Sequence, residues 1–273
     1  MAGTRGRLGF IGAGNMGQAL IRGLIESGRY LKEDLSATDR DPSVLETVSG
    51  AFGVTAHPSG ADLADACRIV VLSVKPQDMR RALLGIRDHL RDDHLLISIA
   101  AGIPLRVLRE TVRKDIPMIR VMPNTPALIR EGISALAGDA RVTDDHMAAA
   151  GTIFGALGET VVVTEEMMDA VTAVSGSGPG YVFRIMECMA DAGVAAGLSP
   201  ETALALVVQT FVGAARLAKT SDQSLSRLRE MVTSPGGTTA AGLAVLDGAG
   251  LAETIRRAVA AAADRSRALG KDA

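Results

Sequence analysis

In the last third of the chain, Ser234-Pro235-Gly236-Gly237-Thr238-Thr239 stands immediately before an apolar helical run through Leu243 and Leu246. Backbone N–H groups and hydroxyls converge at such a helix start, where the partial positive charge favours an anion. A plain helix cap needs only one Ser or Thr; two threonines behind two glycines suit a carboxylate or a phosphate better. At the other end, Gly12-Ala13-Gly14-Asn15-Met16-Gly17 follows the apolar run Leu8 to Ile11, and Met16, Ala19, Leu20, Gly23 and Leu24 then recur at helical spacing. This is G-x-G-x-x-G between a strand and a helix. Gly12 permits the tight turn, Gly14 lets the backbone approach a pyrophosphate, and Gly17 lets the helix pack closely on the strand. Asp39 lies 22 residues beyond Gly17, where an acidic residue accepts hydrogen bonds from the adenosine ribose and repels a 2′-phosphate. Neighbouring Arg40 could bind that phosphate, so the two residues point opposite ways and modest discrimination between the two cofactors is expected.

Val74-Lys75-Pro76, Ala100-Ala101-Gly102 and Met122-Pro123-Asn124-Thr125-Pro126 each end an expected strand. They therefore share the carboxyl edge of a sheet, where doubly wound folds bind ligands. Ser175 to Gly180 invites two other chemistries. A serine hydrolase requires G-x-S-x-G and a base, but Ala173 and Ser175 stand two residues before the two serines and no histidine follows. A β-hydroxyacid dehydrogenase would carry a lysine just after such a turn, where this chain has Val182 and Phe183.

The elements that must position these groups change character along the chain. Apolar runs at Leu8 to Ile11, Leu35 to Thr38, Ile69 to Val74, Leu95 to Ile99 and Met118 to Met122 alternate with amphipathic stretches such as Met79 to Leu90 and Pro104 to Arg113. That alternation predicts an α/β fold: a Rossmann-type, mostly parallel sheet with right-handed crossovers. From Asp169 on, only Ala-, Leu-, Val- and Met-rich helical stretches occur, with Gly197 suited to end one helix and Ser199-Pro200 to open the next. The expected domains are 1–164, dinucleotide-binding, and 165–273, all-α. Those helices are apolar on more than one face, which calls for burial against a second subunit.

The 273 residues include 47% hydrophobic and 22% charged positions, a soluble globular composition. A net charge of -2 with no like-charged block, no Trp, two Tyr and five Phe argue against a nucleic-acid surface. Cys67 and Cys188 form no C-x-x-C pair, and His57, His89, His94 and His146 lack metal spacing and sit in polar stretches that read as surface. No metal is expected, and a reducing, cytoplasmic setting is. Arg5 and Arg7 precede an apolar run that glycines soon interrupt, unlike a secretory leader, and no stretch reads as a membrane span.

Taken in order, GFIGAGNMG, SVKP, SIAAG, MPNTPA, AVSGSGPGYVF and TSPGGTTAAGL resemble the pyrroline-5-carboxylate reductase family over nearly the whole chain. The SPGGTT segment is the most specific of these. The resemblance implies NADPH- or NADH-dependent reduction of 1-pyrroline-5-carboxylate to L-proline, and a helical domain that interlocks in a homodimer, with dimers assembling further into decamers. It implies that Gly12 to Gly17 hold the pyrophosphate, that Asp39 and Arg40 lie by the ribose, and that Val74, Lys75, Pro76, Ala100 and Ala101 flank the nicotinamide end. Glu165, Ser234, Gly237, Thr238 and Thr239 would face the substrate, with the Thr239 hydroxyl as the catalytic partner of the ring nitrogen. Two departures stand out: Gly60 where many members have an asparagine at the cofactor, and Gly180 where many have alanine. A β-hydroxyacid-type dehydrogenase and a catalytically silent nucleotide sensor remain the alternatives.

Overall fold

The computed structural model describes residues 7–271, so Arg5 lies outside the described residues. By contacts the chain divides into two units, one running to Ser177 and resuming at Ala261, the other Gly178–Ala260.

The first unit is built on β1 (Leu8–Ile11), β2 (Leu35–Thr38), β3 (Thr55–Ala56), β4 (Ile69–Leu72), β5 (Leu95–Ser98), β6 (Met118–Met122), β7 (Gly132–Gly138) and β8 (Gly158–Val162). They form one sheet in the order β3-β2-β1-β4-β5-β6-β7-β8, parallel except where β6 meets β7. Every residue of β1, β2 and β5 is buried, as expected of strands covered on both faces. Alternate side chains feed two cores. Leu8, Phe10, Val71 and Ile97 pack with α1 (Asn15–Glu26), α2 (Pro42–Phe52) and α6 (Asp144–Phe154). Ile11, Val70, Leu72 and Leu96 pack with α3 (Gly60–Ala66), α4 (Met79–Ile86) and α5 (Leu105–Val112). The carboxyl ends of β1, β2 and β4 consequently open on one edge, with the glycine turn, Asp39 and Val74 directly beyond them.

The short α7 (Met168–Val171) and the wide turn Thr172–Gly176 still belong to this unit, since Met168 and Ala173 are fully buried. Contacts thus divide the chain 13 residues beyond the 164/165 boundary read from the sequence, because residues 165–177 pack on the sheet before the helical array begins.

The second unit comprises α8 (Gly178–Ala195), α9 (Pro200–Thr220), α10 (Leu225–Met231), α11 (Thr238–Gly248) and the first part of α12 (Leu251–Leu269), whose later turns belong to the first unit. Ser199 caps α9 by accepting from the Thr202 N–H at 3.2 Å, and Pro200 follows at N1, as the sequence implies. Phe183, Met189, Leu204, Leu206, Leu217 and Val245 are all exposed. α9 is also, by length and composition alone, long and apolar enough to cross a membrane, with a mean hydropathy of 1.2 over its best window. The sequence reading missed this, because Gln209, Thr210, Arg216 and Lys219 break up its apolar run.

His94 corrects another expectation. It is completely buried, with Nε2 2.8 Å from the Ala64 carbonyl and Nδ1 accepting from the Arg91 N–H at 3.0 Å, so it closes the turn before β5.

Candidate active site

Gly12 leaves β1 with φ +97°, and its N–H donates to the Thr38 carbonyl at 2.9 Å. A Cβ there would lie 2.7 Å from the Ser73 carbonyl oxygen, so sterics and backbone both demand glycine. Ser73 secures the turn by donating from Oγ to the Gly12 carbonyl at 2.5 Å. Gly17 is equally constrained, since a Cβ would press on the Gly12 carbonyl. Gly14 differs: it is the uncapped N-cap of α1, its φ of -71° is open to any residue, and nothing lies within 4 Å of where a Cβ would stand. The first N–H to bond back along α1 is that of Gln18, at 2.9 Å from the Gly14 carbonyl, which leaves the Asn15, Met16 and Gly17 amides without an intrahelical acceptor. No protein contact requires glycine at 14, and the space beside it is open to a ligand. The residues present therefore fit the pyrophosphate of a dinucleotide.

A cavity of about 500 Å³ runs from this turn along the carboxyl edge of the sheet. It brings together Gly12, Gly14, Asp39, Arg40, Val74 and Lys75 of the expected cofactor residues. Ala13 and Gly17 are buried beneath it, Asn15 and Met16 open α1 beside it, and Pro76, Ala100 and Ala101 do not line it. Asp39 does not reach out as a free carboxylate: Oδ2 accepts from the Ala13 N–H at 2.7 Å and Oδ1 from the Asp41 N–H at 3.0 Å. Ser59, Asp78 and Arg81 also line the cavity and were not foreseen. Gly60 lines it too, at a position where a Cβ would lie 2.9 Å from Ile86 Cγ2, so a larger residue there requires the Ile86 side chain to shift.

In the second unit, Gly236 has φ +69°, and a Cβ on Gly237 would collide with Ser234 Oγ. The two glycines thus have separate reasons, one conformational and one steric. Gly237 is the N-cap of α11 and has no side-chain cap. Its own N–H donates to the Ser234 carbonyl at 3.0 Å, so it is not a free donor. The Ala241 N–H is the first to bond back, to the Gly237 carbonyl at 3.1 Å, which leaves the amides of Thr238, Thr239 and Ala240 for an anion.

Glu165 was expected at the substrate. Its Oε1 accepts from the Leu105 N–H at 3.1 Å and from Arg120 Nη1 at 3.0 Å. Arg120 is 4% exposed, and Asp169 stands 3.9 Å from its Nη2, while Ser266 Oγ donates to Asp169 Oδ1 at 2.6 Å. This cluster ties β6, α5, α7 and the end of α12 together. Arg120→Ala removes the only cation held against Glu165 among the described residues and should lower stability by about 3 kcal/mol, read as a drop in urea midpoint. The double replacement Arg120→Met with Glu165→Leu should recover most of it; an unchanged midpoint in Arg120→Ala would show that the pair is not structural. Asn124 also ties two motifs together, accepting from the Ile133 N–H at 3.0 Å and donating to Ser175 Oγ at 3.4 Å.

A Rossmann-type sheet with a glycine turn and an open cleft on its carboxyl edge, followed by a helical array, defines a dinucleotide-dependent oxidoreductase. Residues 165–269 match the family described as pyrroline-5-carboxylate reductase dimerisation, and residues 7–102 match that described as NADP oxidoreductase, coenzyme F420-dependent. The chain is 40% identical to a pyrroline-5-carboxylate reductase of Pseudomonas aeruginosa over 97% of each protein. The structure of a pyrroline-5-carboxylate reductase from Coxiella burnetii superposes with a TM-score of 0.92 at 35% identity, covering 97% of this chain and 98% of that one. The Plasmodium falciparum enzyme with NADP bound does so with a TM-score of 0.87 at 36% identity and the same coverage. The chain belongs to the pyrroline-5-carboxylate reductase family. The match to the dimerisation family begins at Glu165, where the sequence changes character.

Proposed function

We propose that the protein reduces 1-pyrroline-5-carboxylate to L-proline, the last step of proline biosynthesis, using NADPH or NADH. The observation that carries this reading is the uncapped start of α11, whose free amides are joined by a threonine hydroxyl in a chain that also holds a dinucleotide cleft. When bound, the reduced nicotinamide supplies the hydride that adds to the imine carbon. The Thr238 and Thr239 amides hold the substrate carboxylate, favoured by the partial positive charge of the helix start. Thr239 Oγ orients the ring nitrogen by a hydrogen bond; its hydroxyl is a poor acid, so the imine proton is carried by the substrate itself. Gly237 shapes the turn, Ser234 anchors it through its carbonyl, and Glu165 positions β6 and α5. The test is oxidation of NADPH on adding pyrroline-5-carboxylate. Turnover only with a 3-oxo acid would support the β-hydroxyacid dehydrogenase instead, and no turnover with either would support a silent sensor.

The apolar helices of the second unit, α9 included, are assigned to a homodimer interface, with dimers assembling further into a decamer. Sedimentation at micromolar concentration should show at least a dimer of the 28.2 kDa chain. A stable, active monomer would overturn this assignment. Both cysteines are free, which suits a reducing cytoplasm, and burial pushes the Cys67 thiol up.

A further inference from the structure

Asp78 holds two arginines at the lip of the nucleotide cleft. Its Oδ1 accepts from Arg40 Nη1 at 2.9 Å and from Arg81 Nη2 at 2.6 Å. Arg40 follows β2, while Asp78 is the N-cap of α4 and Arg81 lies in its first turn three residues on, so two separate segments of the chain converge on one oxygen atom. Because both donors bond the same atom, their nitrogens are no farther apart than those two distances laid end to end. Two guanidinium groups repel one another and lose side-chain freedom when they are held together. An anion between them is what brings them there. Asp78 is the resident anion, its side chain 21% exposed, against 69% and 67% for the two arginines.

The place matters as much as the pairing. All three residues line the cavity that begins at the glycine turn and includes Asp39. In a dinucleotide-binding sheet the residue at the end of β2 marks the adenosine ribose. Asp39 occupies that position, but both of its carboxylate oxygens are already committed to backbone amides. Thr38, Asp41, Ser59, Ser73 and Lys75 are the other polar residues on the cavity wall, and of these only Lys75 is a cation.

We propose that Arg40 and Arg81 form a two-guanidinium clamp for a phosphate on the 2′-position of the adenosine ribose, with Asp78 as the counter-anion which that phosphate displaces. The inference rests on the dinucleotide reading of the cleft and extends it to the choice between phosphorylated and unphosphorylated cofactors. A phosphomonoester brings about 1.5 to 2 negative charges and three acceptor oxygens, against one carboxylate oxygen from Asp78. A nucleotide without that phosphate leaves the Asp78 pairs intact. Arg81 and Asp78 therefore set specificity along with Arg40, the residue adjacent to the β2 end.

Calorimetric titration of the full-length enzyme with 2′,5′-ADP and with 5′-ADP tests this without turnover. Arg81→Gln should weaken 2′,5′-ADP by about tenfold or more, the loss of one charge-assisted contact, and change 5′-ADP less than about twofold. Asp78→Asn, which removes the competitor, should tighten 2′,5′-ADP several-fold and leave 5′-ADP alone. The ratio of kcat/KM for NADPH over NADH should fall in the first variant and rise in the second. Arg81 is a surface residue, and an unchanged melting temperature will show that its replacement leaves the fold intact. Equal loss of both ligands in Arg81→Gln, or no loss of either, would overturn the clamp. Unchanged or weaker 2′,5′-ADP binding in Asp78→Asn would overturn the competition. If the wild-type protein bound neither ligand, the dinucleotide reading itself would fail, an outcome distinct from intact 5′-ADP binding without discrimination.

Discussion

Replacing Thr239 by alanine should lower kcat by about tenfold to a thousandfold, the loss of one or two oriented hydrogen bonds, while dinucleotide affinity stays nearly constant. The split follows from where the residue lies. Thr239 is in the first turn of α11, whereas the cleft that fits a dinucleotide is lined entirely by residues of the first unit. The alanine variant keeps the backbone amide assigned above to the substrate carboxylate, so substrate binding should suffer less than turnover. Thr239→Ser keeps the hydroxyl and should retain most activity. Steady-state rates together with fluorescence titration of NADPH separate these effects. Wild-type turnover in Thr239→Ala, or equal damage from serine and alanine, would move the role to another group.

Much of this architecture is legible in the sequence because the central strands are mostly apolar, β1 and β4 throughout and β2, β5 and β6 broken only by Ser36, Thr38, Ser98 and Arg120. β1, β4, β5 and β6 lie where runs rich in Leu, Ile, Val and Met place them and β2 where Leu35 to Thr38 does, and parallel strands buried on both faces are largely apolar. β7 and β8 escape the same reading. Gly132–Gly138 is written in Gly, Ser and Ala with few β-formers, and β8 is a largely exposed edge strand. β3 has only two residues. What holds these strands is pairing within the sheet, β3 to β2, β7 to β6 and β8 to β7, a tertiary contact with no local signature. His94 was misread for a related reason: Asp92 and Asp93 make its neighbourhood polar, yet its ring is consumed by backbone groups brought in from α3 and from its own turn. Charged pairs were the least legible. Arg120 and Asp78 look like ordinary surface residues in sequence, and only folding shows that β6 carries a buried cation or that two arginines meet on one oxygen. The glycine motifs were easier, because a glycine at a fixed offset between strand and helix answers to few physical demands besides a tight turn, a close packing or the approach of a phosphate.

Gly14→Val should abolish dinucleotide binding, a loss of about a hundredfold or more, in a protein that remains folded. A valine at this position needs no strained backbone, since φ is -71°, and its Cβ would meet no protein atom within 4 Å. The cost to stability should be at most about 1 kcal/mol, the ordinary penalty for a poor N-cap residue. The added methyl groups stand instead where a pyrophosphate must approach the Asn15 and Met16 amides, and a displaced phosphate loses several charge-assisted hydrogen bonds at once. Gly12→Ala is the matched control, because it fails for the opposite reason. Its φ of +97° costs an alanine about 1–2 kcal/mol. The new Cβ would also press on the Ser73 carbonyl at 2.7 Å, so the strand-to-helix turn itself must shift. Thermal melts and NADPH titrations of the two variants should therefore separate cleanly, with Gly14→Val stable but unable to bind and Gly12→Ala destabilised. A Gly14→Val protein that bound NADPH as the wild type does would place the pyrophosphate elsewhere, and one that failed to fold would mean that glycine at 14 serves the protein and not its ligand.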